Sequence, residues 1–321
     1  MRKSAAEKRR WAFVMVVMLS LPALTMAQEK GTTKKTAPSG VTACGGGITV
    51  RVRPAGVAQG SLVLVDVWSK EDLTSVKGDW VGHQIGFWEG SLKSATARSQ
   101  DHWQGLLGVD LDQAVGTHDL TIFAIKKGSD AVGCGAKVLV RVGHYPTEQL
   151  KVDNQFVEPS EEQAARAKEE QARLRAVYDT LTPDKLWSGK FRLPLDGVTS
   201  GGNFGRRRVS NGKAGSPHGG VDFPALTGTP VHASQAGKVV IAEPMFFSGN
   251  TVVVDHGLGI YTFYCHLSEI TVKVGDPVET GAEVGKVGAT GRVTGPHLHW
   301  ALSVNRARVN AMQILTVLGS S

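Results

Sequence analysis

The stretch TGPHLHW at 294–300 sets two imidazoles, His297 and His299, two residues apart. On a helix they would point about 200° apart around the axis and share no target, whereas on a strand residues two apart line one face. The flanks favour a strand, because HLHWALSV alternates and puts Leu298, Trp300 and Leu302 on the opposite face. Two imidazoles aimed at one spot point to a metal, to catalysis, or to both. Without further ligands they would be two polar residues on a solvated face. Further ligands are present upstream, where SPHGGVDFPA holds His218 and Asp222 four apart. Gly219 and Gly220 let the backbone turn tightly between them, so both side chains can reach one ion. Two imidazole nitrogens and one carboxylate oxygen make a catalytic zinc shell, with bonds of roughly 2.0–2.2 Å and the fourth position left to water. Either pair alone is a weak signal. Both in one β-like region, with a His-bearing strand between them, are a specific one.

That intervening strand is GIYTFYCHLS. Strict alternation puts Thr262, Tyr264 and His266 on one face and Tyr261, Phe263 and Cys265 on the other. On that reading His266 shares a cleft with His297 and His299 only if Cys265 points away, so Cys265 is read as a small buried residue and not as a ligand. His256, at a hairpin turn, and His232, between apolar residues, are read as structural.

The elements that must position these residues fall into five stretches. Residues 1–27 carry a basic leader (MRKSAAEKRR), an apolar run (WAFVMVVMLSLPAL) and a small-residue end, the pattern of a secretory signal peptide. The apolar run is short for a membrane span, and an uncleaved anchor is the alternative. Residues 28–41 lack periodicity and read as a flexible linker. Residues 42–147 offer short alternating runs such as GITVRVRP, GSLVLVDVWS and AKVLVRVG, punctuated by Gly, Asp and Ser, which predicts an immunoglobulin-like β-sandwich. Its tryptophans read as packing, and its histidines, His102 among them, lack ligand spacing. Residues 148–187 form a helical linker. Pro159-Ser160-Glu161-Glu162 starts the helix, and Leu174, Val177, Tyr178 and Leu181 make an apolar stripe in its second half. Residues 188–321 are again Gly-rich and β-like, with a short helix or irregular end in the tail. The expected fold is mainly β throughout.

Removing the five Lys/Arg and one Glu of the leader lowers the formal charge from +7 to +3. Composition therefore gives no support to a nucleic-acid partner. Export implies an oxidising compartment, which favours a bridge between Cys44 and Cys134 over two buried thiols and leaves Cys265 odd.

Three segments, HGGVDFPALTGTPVHASQAGKVV, GNTVVVDHGLGIYTFYCHLSEITVKVGDPVETGAEVGKVGATG and TGPHLHW, together resemble the lysostaphin/LytM-type zinc metallopeptidases over about residues 190–305. The resemblance implies zinc ligands at His218, Asp222 and His299 and catalytic, non-ligand roles for His266 and His297. It also implies Zn2+ as cofactor and bacterial peptidoglycan as substrate and partner. Location would be the periplasm or envelope, with no stable membrane insertion once the leader is cleaved. Hydrolysis would use a water acidified by zinc, with two imidazoles serving as base, acid and oxyanion stabiliser. A non-catalytic wall-binding regulator of other hydrolases is the alternative function. Such relatives lack one or more of the five site residues, and all five are present. VKVGDPVETGAEVGKVGATG also resembles biotinyl or lipoyl carrier strands, but a carrier needs a lysine at a hairpin tip and Lys286 lies inside the strand pattern. A zinc hydrolase cutting the sugar–peptide amide has compatible chemistry and is disfavoured only by the resemblance.

Overall fold

The computed structural model describes residues 40–90, 101–128 and 130–318. The leader, and the linker up to Ser39, lie outside the described residues. Alternating runs in the first third become a continuous strand path. Strand His83–Glu89 joins its two halves, pairing with Asp101–Val109 on one side and Leu73–Trp80 on the other. Val50, Val52, Val65 and Val67 from one half and Ile122, Val138 and Val140 from the other fill a single core. A disulfide joins Cys44 to Cys134, with Cα atoms 5.6 Å apart, and Cys265 is a buried free thiol.

Strand Ser61–Ser69 reads LVLVDV in its middle, nearly continuous apolar sequence rather than alternation. Such a run suits a strand covered on both faces, and this one is. Val63, Val65 and Val67 lie in the N-terminal core, while Leu62 and Leu64 join the core of the C-terminal sheet. Polar contacts lock the same seam. The Arg308 guanidinium donates to Asp110 and Asp112 at 2.6 Å each, and the Leu62 amide donates to Gln313 Oε1 at 2.7 Å.

The C-terminal sheet is antiparallel and runs in the order Gly220–Pro224, His297–Val304, Ile260–Ile270, Gly249–Asp255, Gly237–Met245, Pro277–Val278. Leu298, Trp300, Leu302 and Val304 pack on its core face with Val221, Phe223 and Tyr264, all essentially without exposure. Truncating a fully buried tryptophan of this kind costs about 3–5 kcal/mol, so Trp300 and its neighbours hold the strands that carry the histidines. Lys286 sits within strand Glu283–Val287 and pairs with Glu269, not at a hairpin tip.

The linker helix spans Glu161–Tyr178. Ser160 caps it and Gln163 closes the capping box, as the Pro-Ser-Glu-Glu start predicts. Leu174, Val177 and Tyr178 dock on Tyr261 and Phe263, the face of the sheet opposite Trp300. The polar first half is also tied down. Glu170 is buried, accepts from Arg166 Nε at 2.7 Å, and accepts the Phe246 amide at 2.7 Å. The helix thereby anchors the 246–249 turn. The tail forms strand Ala307–Val309 and then the short helix Ile314–Val317. Among the described residues no helix is long and apolar enough to cross a membrane.

Candidate active site

Register brings the sequence-separated residues together. Strand Gly220–Pro224 pairs with His297–Val304 so that Asp222 stands directly opposite His299 and Pro224 opposite His297. Directly opposed residues of an antiparallel pair share a face, so the Asp222 carboxylate and both imidazoles of HLH project to one side. His218 enters from the loop before the first of these strands. Its Nε2 lies 2.7 Å from His299 Nδ1 and 3.1 Å from Asp222 Oδ1, and His299 Nδ1 lies 3.0 Å from the same oxygen. Gly220 makes this possible, because a Cβ there would meet His299 Nε2 at 2.6 Å.

The alternation expected for the third strand fails, for a visible reason. On the neighbouring strand Asn250 and Val252 are two residues apart, yet their partners Leu267 and Tyr264 are three apart. One extra residue is inserted, a β-bulge, and His266 occupies it with φ +62°, in the left-handed region. Tyr264 and Leu267 both stay in the core. Cys265 pairs directly with His299 and so lies on the site face, contrary to the expectation that it points away. It is nonetheless not among the residues whose ligand atoms converge, which are His218, Asp222 and His299. Burial, reinforced by the negative charge of Asp222, pushes the Cys265 thiol well above its ordinary value, so it stays a neutral and poor ligand.

The bulge also turns His266 toward the site. Its backbone amide donates to the Ser248 carbonyl at 2.9 Å and its Nδ1 donates to the Thr290 carbonyl at 2.8 Å. Its ring centre is 5.0 Å from that of His297 and 6.0 Å from that of His299. The His297 Nδ1 donates to the Gly295 carbonyl at 2.8 Å, and its Nε2 stands 3.7 Å from Asp222 Oδ1. A carbonyl can only accept, so both rings carry their proton on Nδ1 when neutral and keep a lone pair on Nε2. Burial, then the neighbouring charges of His299 and His297, lower the His266 pKa to about 3. Burial likewise lowers His299 to about 4, against the opposing hydrogen bond to Asp222. Burial would raise Asp222, but His218 and His299 override it and hold the carboxyl well below the usual range.

The donor set fits a metal. His218 Nδ1 donates to the Asn203 carbonyl at 2.9 Å, so its Nε2 lone pair faces the triangle. Two nitrogens and a carboxylate oxygen within 3.1 Å of one another have, with neutral rings, at most one ring proton to share, so lone pairs face each other. A cation relieves that repulsion. The edges are slightly shorter than the ~3.4 Å of a tetrahedron with ~2.1 Å bonds. The Asn203 carbonyl is the outer partner that orients such a histidine.

Residues 216–311 match the model for peptidase family M23. That stretch is a peptidase family M23 domain. The chain is 43% identical over 142 residues to peptidoglycan DD-endopeptidase ShyA of Vibrio cholerae, covering 43% of this chain and 33% of that protein. A Pseudomonas aeruginosa crystal structure assigned to peptidase M23 is 27% identical with a TM-score of 0.57, covering 80% of this chain and 94% of that one. The catalytic domain of the antimicrobial peptidase lysostaphin from Staphylococcus simulans is 32% identical with a TM-score of 0.30, covering 40% of this chain and 88% of that one. The chain thus spans about a third of the length of ShyA.

Within the M23 site, sequence reading missed four residues. Asn203 orients His218, and Thr290 holds His266. Arg208 reaches Asp222 Oδ2 at 3.4 Å, and Arg292 lines the same cleft. Their signals were SGGNFGRRR and GATGRVTG, which read only as Gly-rich β-like sequence. His232 and His256 stay outside. His256 is buried between the Ala236 carbonyl and Thr262 Oγ1, at 2.8 and 2.7 Å, and burial lowers it to about 4. His232 faces Asp196 at 3.5 Å.

Proposed function

We propose that the chain is an exported zinc metalloendopeptidase that hydrolyses peptide cross-links of bacterial peptidoglycan. The observation that carries the reading is the His218–Asp222–His299 triangle with two further histidines beside it whose Nδ1 protons are tied to carbonyls. His218, Asp222 and His299 would hold Zn2+. When bound, the ion supplies Lewis-acid polarisation of a carbonyl and an acidified water at neutral pH. His266 and His297 do the proton work. Each ties its Nδ1 to a carbonyl and leaves Nε2 free, so one can accept a proton from the attacking water and then donate it to the leaving amine. A protonated or N–H-bearing imidazole at the same place stabilises negative charge on the tetrahedral oxygen. Buried surroundings strengthen both effects by excluding water.

The chain's activity as a whole is inferred from the names of its relatives, since ShyA is called a peptidoglycan DD-endopeptidase. Export to the periplasm or envelope follows from the tripartite leader, cleaved before Gln28, and the Cys44–Cys134 disulfide fits that compartment. The N-terminal strands are read as an immunoglobulin-like sandwich, and residues 188–321 as the peptidase unit. The test is digestion of purified peptidoglycan by the mature chain, with products identified by mass spectrometry and zinc by elemental analysis. New amino termini within cross-links, with one zinc per chain, are expected. Zinc-loaded protein that leaves every cross-link intact would turn the reading toward a wall-binding regulator.

A further inference from the structure

The cleft beside the triangle encloses about 260 Å³ and is walled by the start of the linker, Glu148 and Leu150, on one side and by Arg292 and Thr294 on another. Two guanidiniums line it. Arg208 contacts Asp222 Oδ2 only at 3.4 Å, and its Nε is buried with no hydrogen-bond partner among the described residues. Arg292 is half-buried, its guanidinium carbon 4.8 Å from the centre of the Phe247 ring. Among the described residues no carboxylate makes an ion pair with it. Burial and then the positive charge of Arg208 both act to push Arg292 down, so the two cations feel each other across the cleft. The one acid on the facing wall, Glu148, is directed to Arg206 at 3.5 Å, and Asp222 is engaged by the histidines. A cleft with an orphaned guanidinium nitrogen, an unpaired arginine and like-charge repulsion lacks an anion. Arginine is the side chain whose planar fork matches a carboxylate.

We propose that Arg208 and Arg292 form a carboxylate-binding subsite, which seats a free carboxylate of the peptide substrate next to the scissile amide. The subsite lies beside His297 and His266, which line the same cleft. It would select a peptide strand bearing a negative group close to the bond cut and fix that bond over the reactive centre. This inference rests on the peptidase reading and adds the substrate feature the site recognises.

The test compares two cross-linked wall peptides, one with the carboxylate beside the scissile amide free and one with it converted to the primary amide. Wild-type chain should cleave the acid with kcat/KM about tenfold or more above the amide, the usual worth of a charge-assisted hydrogen bond. Arg292→Gln should bring that ratio to about one while holding its zinc, and Arg292→Lys should restore part of it. A merely structural role would lower both substrates together and leave the ratio alone. Equal wild-type rates on acid and amide, or a preference that survives in Arg292→Gln, would overturn the subsite while leaving the peptidase reading intact. If wild-type chain cleaves neither peptide, the peptidase reading falls and the subsite with it.

Discussion

Two places in this molecule set an aspartate, buried in one and partly buried in the other, beside a pair of strand residues spaced two apart. In the N-terminal strands the pair is His102 and Gln104, facing Asp66. In the M23 domain it is His297 and His299, facing Asp222. The spacing and the strand geometry are alike, but the proton balance is opposite. Asp66 is surrounded by donors: Arg53 Nε at 2.6 Å, His102 Nε2 at 3.0 Å and Gln104 Nε2 at 3.0 Å. Burial would raise its pKa, yet the bonds from His102, Arg53 and Gln104 win and hold it ionised. That carboxylate is satisfied and has no need of an ion. Asp222 instead meets two imidazole nitrogens that also meet each other, three lone-pair atoms with, for neutral rings, at most one ring proton to share. A buried polar cluster rich in donors is a structural joint, and one rich in acceptors is a cation site.

The largest expected effect separates the two clusters outright. His299→Ala should bring bound zinc well below one per chain and wall-peptide turnover to background, because one of three protein ligands is gone. Elemental analysis beside a turnover assay reads both, and retained zinc would remove His299 from the shell. Next come His297→Ala and His266→Ala. Both should keep near-stoichiometric zinc and lose about 10²–10⁴-fold in rate, the worth of a positioned acid–base group. Zinc lost from His297→Ala but kept by His299→Ala would reverse the assignment within HLH.

Asp66→Ala is the matching cut in the N-terminal cluster. It should cost about 3 kcal/mol in denaturant unfolding, since His102 and Gln104 are left as buried donors without an acceptor. Zinc content should not change, and a variant that loses zinc would show the two clusters to be coupled. The smallest effect is the pH response of His256, far from the proposed ligands. Burial lowers its pKa to about 4 in the folded chain, from the ordinary 6.5 of an imidazole. The unfolded chain therefore binds the proton first. Stability is full above about pH 6.5 and is lost as pH falls from there through about 4, by up to about 3 kcal/mol. Thermal unfolding of wild type and His256→Gln across that window checks the sign, and a variant with the same pH slope would remove His256 as a cause.

The sequence by itself determined the parts that depend on local spacing. HLHWALSV is a strand with both histidines on one face because side chains alternate with period two, the glycines of HGGVD let His218 and Asp222 turn toward one point, and Pro159-Ser160 starts a helix because capping is local. The cysteine pairing was legible from the cysteine count and the leader-like start. Tertiary structure decided what depends on pairing across strands. The ladder step at 264–267 inserts His266 as a bulge, which carries it to the site face and leaves Cys265 there as well. Alternation within a single strand cannot register an inserted residue, because a bulge exists only relative to a partner. Arg208 and Arg292 entered the site for the same reason. They are 84 residues apart in unremarkable Gly-rich sequence, and only the fold sets both against one cleft. The difference between Asp66 and Asp222 is of this kind too, since which donors or acceptors surround a buried carboxylate is a property of neighbours in space.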